Sequence, residues 1–337
     1  MRYTKVSLDA LAYELAPNVI TSSELEKRVE PVYQALRMPL GQLEALTGIR
    51  ERRWWDAGFK LSEGASRAGR KALAQSGVKA QDLGVLIYTG VCRESSEPAT
   101  ACAVANQLGV CRDCAVYDLS NACLGVLSGI VDISNRIELG HIKAGMVVSC
   151  ESAREINESM IAAMIKNPTM ESFKLSIATL TGGSGAVAVL LTDGSFGAKG
   201  HKLLGGVAHA APEHWDLCRW ERDFMRTDAP AVLKNGVDLA RGTWKSFTET
   251  LGWAPQTIDK TICHQVGGPH RAAVLHAFGV APEKDYSTFE SLGNIGTVSL
   301  PLTAALADER GFLEKGDKVG FLGIGSGLNC MMLGWKW

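Results

Sequence analysis

Three pairs of segments recur in the same order along the chain, and that repetition constrains the fold more than any single motif. GGSGAVAVLLTD at 182–193 is echoed by GIGSGLNCMMLGW at 323–335, each a Gly-Ser-Gly running into an apolar strand. VLIYTGVCRES at 85–95 has a counterpart in KTICHQVGGPH at 260–270, a strand ending in a polar loop. SNACLGVLSG at 120–129 matches LGNIGTVSLPLTAAL at 292–306, a helix approached through Asn, Gly and small residues. The shared order predicts two related halves, 1–195 and 196–337. No low-complexity or Pro/Ser-rich linker separates them, so they are expected to pack as one body.

Within the first half, DLGVLIYTG, AVYDLS and KAGMVVSC read as buried strands, with a helix around residue 123 between the last two. This is βαβ order, which predicts an α/β fold with a mostly parallel sheet. A charged helical stretch is expected across SELEKRVEPVYQALRMPLGQLEALTG, and a long amphipathic helix at roughly 229–253.

With 35 basic and 36 acidic residues, no net field points to nucleic acid or an anionic membrane. The 46% hydrophobic content and 36 glycines suit an α/β enzyme with tight turns. No run of eighteen apolar residues occurs, and Met1 to Asn18 lacks the pattern of a signal peptide, so a cytoplasmic location is the expectation. Nine cysteines in no regular framework fit reduced thiols. Cys111 and Cys114 form a CxxC without a second pair to complete a zinc site; a redox pair there remains an alternative. The seven histidines are scattered and imply no metal.

Cys123 is the most suggestive thiol. Ser120 and Asn121 are good N-cap residues, and Leu124, Leu127, Ile130, Val131 and Ile133 then recur at helical spacing, so Cys123 is expected in a first helical turn. Unpaired N–H groups there favour a thiolate; the competing reading is a buried structural cysteine. A nucleophile needs a partner and oxyanion donors. His264, in the polar loop after a strand, and Asn294, between Gly293 and Gly296, stand at matched places in the repeat, where α/β sheets gather active sites. Taken singly, each also reads as a structural histidine or a turn residue.

Taken together, TGIRERR, SNACLG, CHQVGGPH, LGNIGTVSLP and GIGSGLN resemble, in content and order, the ketoacyl-ACP synthase III branch of the thiolase superfamily. The resemblance implies a dimeric thiolase fold, five layers αβαβα built from two similar halves. It implies that Cys123 accepts an acyl group and that His264 and Asn294 donate hydrogen bonds to the second substrate's thioester carbonyl. The backbone N–H groups of Cys123 and Gly327 would form the other oxyanion hole. No cofactor is implied beyond CoA thioester substrates.

Glu97, in GVCRESSEPATAC, stands where ordinary synthase III enzymes usually place an apolar residue that reaches across the dimer into the partner's acyl tunnel. A carboxylate there is costly to desolvate unless it works as a base; otherwise it is a surface glutamate paired with Arg93. EPATA, HQVGGPH and EHWDLCRWERDFMRTD are similar to the OleA-type enzymes of long-chain olefin biosynthesis, which condense two fatty acyl-CoA molecules head to head and use such a glutamate. Pro269 also replaces the expected carrier-docking base, although Arg271 is nearby. The resemblance therefore implies a homodimer that converts two fatty acyl-CoAs to a 2-alkyl-3-ketoacyl-CoA, with downstream lipid-pathway enzymes as further partners. Decarboxylation of malonyl-ACP by a synthase III is the alternative. Gly323, where thiolases proper carry a second cysteine, argues against that activity. HMG-CoA synthase-like chemistry fits the motifs less well, and the complete Cys-His-Asn set argues against a non-catalytic subunit.

Overall fold

Alternation along the strands sorts the core into layers. In a computed structural model, which describes residues 1–197, 200–221 and 223–337, the first half runs β1 (Ser7–Leu15), α1 (Leu61–Ser76), β2 (Val85–Thr89), α2 (Thr100–Leu108), β3 (Ala115–Leu119), α3 (Gly125–Glu138), β4 (Ala144–Glu151) and β5 (Gly185–Thr192). The second half runs β6 (His201–Ala210), α4 (Ala229–Leu251), β7 (Lys260–Cys263), α5 (Gly268–Phe278), α6 (Ser299–Glu309), β8 (Lys318–Gly325) and β9 (Asn329–Lys336).

Val85 and Ile87 of β2 and Val187, Val189 and Leu191 of β5 face one core, which contains the apolar stripe of α3 and α6, buried from Ser299 to Ala307. Phe321 of β8 and Leu333 and Trp335 of β9 approach that core from the second half. The alternate residues Leu86, Tyr88, Ala188 and Leu190 meet α1 and α2 on the outer face. In the second half Leu322, Ile324 and Met332 meet Trp244 and Phe247 of α4 and Leu275 and Phe278 of α5. The order of layers is helices, sheet, α3 with α6, sheet, helices, which is αβαβα.

The two sheet layers are joined edge to edge, so that these nine strands are hydrogen-bonded in one continuous order, β7-β8-β9-β6-β1-β5-β4-β2-β3. The halves meet where Ser7 pairs with Lys202 and Leu8 with His201. Each half repeats one pattern: β2 lies parallel to β4 and β4 antiparallel to β5, as β7 lies parallel to β8 and β8 antiparallel to β9. β3 alongside β2 is matched in the second half by a single parallel bridge, Thr261 to Asp285. All three repeated sequence pairs thus fall on equivalent elements.

The expectation of a mostly parallel sheet is corrected. Parallel pairing is confined to the βαβ segments, whereas β9 returns directly from β8 through Ser326–Leu328, a link too short for a crossover, and pairs antiparallel on both sides. The charged helical stretch is also divided, into Ser22–Arg28, Glu30–Leu36 and Gln42–Thr47. Pro31 starts the second helix and Gly41, at φ +93°, precedes the third. These helices pack Leu25, Val32, Tyr33 and Leu43 on Ile161, Met164 and Phe173. Glu26, buried among them, accepts the N–H groups of Gly41 and Leu43 at 2.6 and 2.7 Å.

Candidate active site

Cys123, His264 and Asn294, which are far apart in sequence, line one cavity of about 450 Å³, a volume suited to a small ligand. Each comes from the end of a strand or the start of a helix in its own half. Cys123 lies in a 3₁₀ turn, Ala122–Leu124, that precedes α3. The expected capping by Ser120 and Asn121 is corrected: the Asn121 amide donates to Ser128 Oγ at 2.9 Å instead. The cap comes from the other half, where Thr297 Oγ1 accepts the N–H of Val126 at 2.7 Å. Glycine at 125 lets the elements pack closely, since a Cβ there would stand 3.0 Å from Thr89 and 3.3 Å from Thr297 Oγ1.

The backbone N–H groups at this turn do favour the thiolate, as expected, but burial outweighs them. Burial, and next the nearby Cys218 and Glu151, push the Cys123 thiol up to about 12, against the opposing pull of the backbone N–H groups of Cys123 and Ser326. Ser326 lines the cavity and its backbone N–H is near enough to Cys123 to favour the thiolate, whereas Gly327 is not among the lining residues.

His264 follows β7 and is 5% exposed, its N–H donating to Leu322 at 2.9 Å. Burial, and then His270, push its imidazole down to about 3, so it is neutral at pH 7. Its Nδ1 has no partner among the described residues. The Asn294 backbone is held by Thr181 and Gly183, and its Oδ1 accepts the N–H of Gly296 at 3.0 Å. That bond fixes the amide so that Nδ2 is the group left to donate. The resting site therefore presents a neutral thiol, a neutral imidazole and an amide donor, a set matched to a carbonyl oxygen gaining negative charge.

Glu97 is exposed, along with the loop 93–98, and is not among the residues lining the cavity of its own chain. No ion pair joins it to Arg93 among the described residues. Arg271 is committed internally: it pairs with Asp285 at 2.7 Å and donates to the carbonyls of Pro282 and Asp285. Cys330 is buried in β9, and burial pushes the Cys114 thiol of the CxxC up to about 11, away from thiolate chemistry. Sequence reasoning missed Glu151, a carboxylate 3% exposed that lines the cavity.

Comparison with known proteins agrees with this geometry. Residues 55–223 match the thiolase N-terminal domain family, and residues 248–337 match the 3-oxoacyl-[acyl-carrier-protein] synthase III C-terminal family. The chain is 58% identical to an acyl-CoA:acyl-CoA alkyltransferase of Shewanella oneidensis and 37% identical to one of Xanthomonas campestris, each match spanning 100% of both chains. Crystal structures of Xanthomonas campestris OleA superpose with a TM-score of 0.97 at 37% identity, covering 100% of this chain and 98% of that one. A cysteine variant of that protein, holding lauric acid and lauroyl-CoA, superposes at 0.96, covering 99% of this chain and 100% of that one. The chain belongs to the thiolase superfamily, in the ketoacyl-ACP synthase III-like group that includes the acyl-CoA:acyl-CoA alkyltransferases.

Proposed function

We propose that this chain joins two fatty acyl-CoA molecules head to head by a non-decarboxylative Claisen condensation. The observation that carries the reading is the convergence of Cys123, His264 and Asn294 on one cavity in a chain 58% identical to an acyl-CoA:acyl-CoA alkyltransferase. In the first step Cys123 attacks an acyl-CoA thioester, the backbone N–H groups of Cys123 and Ser326 hold the oxyanion, and CoA leaves as its thiol. The proton of Cys123 passes to the departing CoA sulphur as the thioester forms, so that CoA leaves as its thiol and His264 stays neutral. In the second step another acyl-CoA places its carbonyl oxygen on His264 and the Asn294 amide. A base removes its α proton, the enolate carbon attacks the acyl-cysteine, and the cysteine sulphur is expelled. The product is a 2-alkyl-3-ketoacyl-CoA that retains the second CoA.

The base is Glu97 of the partner subunit in a homodimer. Glu97 is exposed and outside its own cavity, and β3, next to α2 in sequence, is one of the two edge strands of the sheet, with every residue half-buried. An edge of this kind is suited to pairing with a second copy. In the OleA crystal structures a cysteine, a glutamate and a histidine have been replaced. That glutamate and cysteine are separated by the same number of residues as Glu97 and Cys123, and the cysteine-to-histidine separation differs from Cys123 to His264 by one. Among the described residues no helix is long and apolar enough to cross a membrane, and the nine cysteines are free, which suits a reducing, cytoplasmic setting.

The test is CoA release from purified protein given only a long-chain acyl-CoA, with product mass analysis, beside the same protein given malonyl-ACP. Sustained release and a doubled-chain β-keto product from acyl-CoA alone are expected. A single burst followed by turnover only with malonyl-ACP would make the chain a decarboxylating synthase.

A further inference from the structure

Glu151 ends β4 against the cavity, and no step above uses it. Its two carboxylate oxygens accept the N–H groups of Val91 and Cys92, each at 2.9 Å. Those residues begin the loop that runs on to Glu97. The turn after Asn294 leans on the same carboxylate from the other half: a Cβ on Gly296, whose φ is +55°, would stand 2.9 Å from Glu151 Oε1. The backbone N–H of Thr297 also acts on the carboxylate, and Thr297 in turn caps the helix behind Cys123. One buried acid thus touches the loop leading to Glu97 and the turn that carries Asn294. Burial pushes the Glu151 carboxyl up, and the N–H groups of Val91, Cys92 and Thr297 oppose that shift.

We propose that Glu151 is a positioning residue for the condensation step, its carboxylate clamping the Val91–Cys92 loop to the Asn294–Thr297 turn. The clamp holds the Asn294 amide in its own cavity while fixing the root of the loop that delivers Glu97 to the partner. The inference rests on the condensation reading given above. Glu151 also faces Tyr88, Cys92 and Cys150, all of which it helps to push up, and it acts with Cys218 on Cys123. Removal of its charge therefore has a second signature, at the nucleophile.

The experiment compares the full-length wild type with Glu151→Gln and Gly296→Ala. Three quantities are read: the CoA burst from one acyl-CoA, sustained condensation, and the pH profile of Cys123 alkylation by iodoacetamide, located by mass. Glu151→Gln is expected to retain the burst, lose condensation by about tenfold or more, and move the alkylation profile to lower pH. Gly296→Ala crowds the carboxylate without removing its charge, so it is expected to lower condensation and leave the profile in place. Wild-type condensation in either variant overturns the clamp, as does an equal loss of burst and condensation with the profile unmoved. If the wild type turns over only with malonyl-ACP, the acyl-CoA reading fails, and the clamp is read from malonyl-driven condensation in the same variants.

Discussion

Cys123 and His264 form a neutral pair at rest, and that assignment governs their pH behaviour. With its thiol pushed up to about 12, Cys123 is expected to alkylate slowly at pH 7, the rate climbing steadily through pH 10. A plateau near pH 8 in the iodoacetamide profile would contradict this. His264, pushed down to about 3, does not take up a proton as pH falls through 6.5, so the acylation rate should show no inflection there. The unfolded chain does bind that proton, so stability drains away as pH falls from about 6.5 toward 3. Thermal unfolding of wild type and His264→Asn across this range measures the effect; the variant should lose less stability on acidification. For Asn294→Ala, removal of one preorganised donor should slow condensation by about 10²–10³ with acylation retained. The three side chains that face the cavity were legible in the sequence because their chemistry sits in distinctive glycine-rich surroundings. The place of Ser326 in the cavity lining was not, because a serine between two glycines carries no distinctive side-chain signal. Glu151 was not, because only burial separates it from any other strand-end glutamate.

The start of α3 shows how far local pattern reaches among the elements. Ser120 and Asn121 have the chemistry of a cap, yet Thr297 Oγ1 takes the Val126 N–H from across the molecule. Thr297→Val should therefore cost about 1 kcal/mol of stability, read from denaturant unfolding, whereas Asn121→Ala should leave the Val126 bond intact. An equal loss in both variants would restore the local cap. Strands β2 and β4 were readable from continuous apolar runs, since burial on both faces leaves little room for polar residues. Their partners' directions were not readable, because pairing depends on the path between strands rather than on the strands themselves. The separate helices at Glu30–Leu36 and Gln42–Thr47 had signals in Pro31 and Gly41 that the charged periodicity masked.

For the whole molecule, the duplication was visible because each half solves the same packing problem with the same residue types. Gly-Ser-Gly precedes both β5 and β9, and small residues precede both α3 and α6. In the proposed dimer, what covers the free edge at β3 and the cavity that Glu97 would serve both lie outside any one chain's internal logic. Sedimentation or light scattering is expected to give a dimer. The most direct test mixes two inactive variants under subunit exchange, Glu97→Ala, which keeps Cys123, and Cys123→Ser, which keeps Glu97, and supplies long-chain acyl-CoA alone. If Glu97 serves the partner's cavity, each mixed dimer holds one complete site, and β-keto product should reappear at about a quarter of the wild-type rate after random exchange. A mixture that exchanges subunits yet stays inactive would contradict the account.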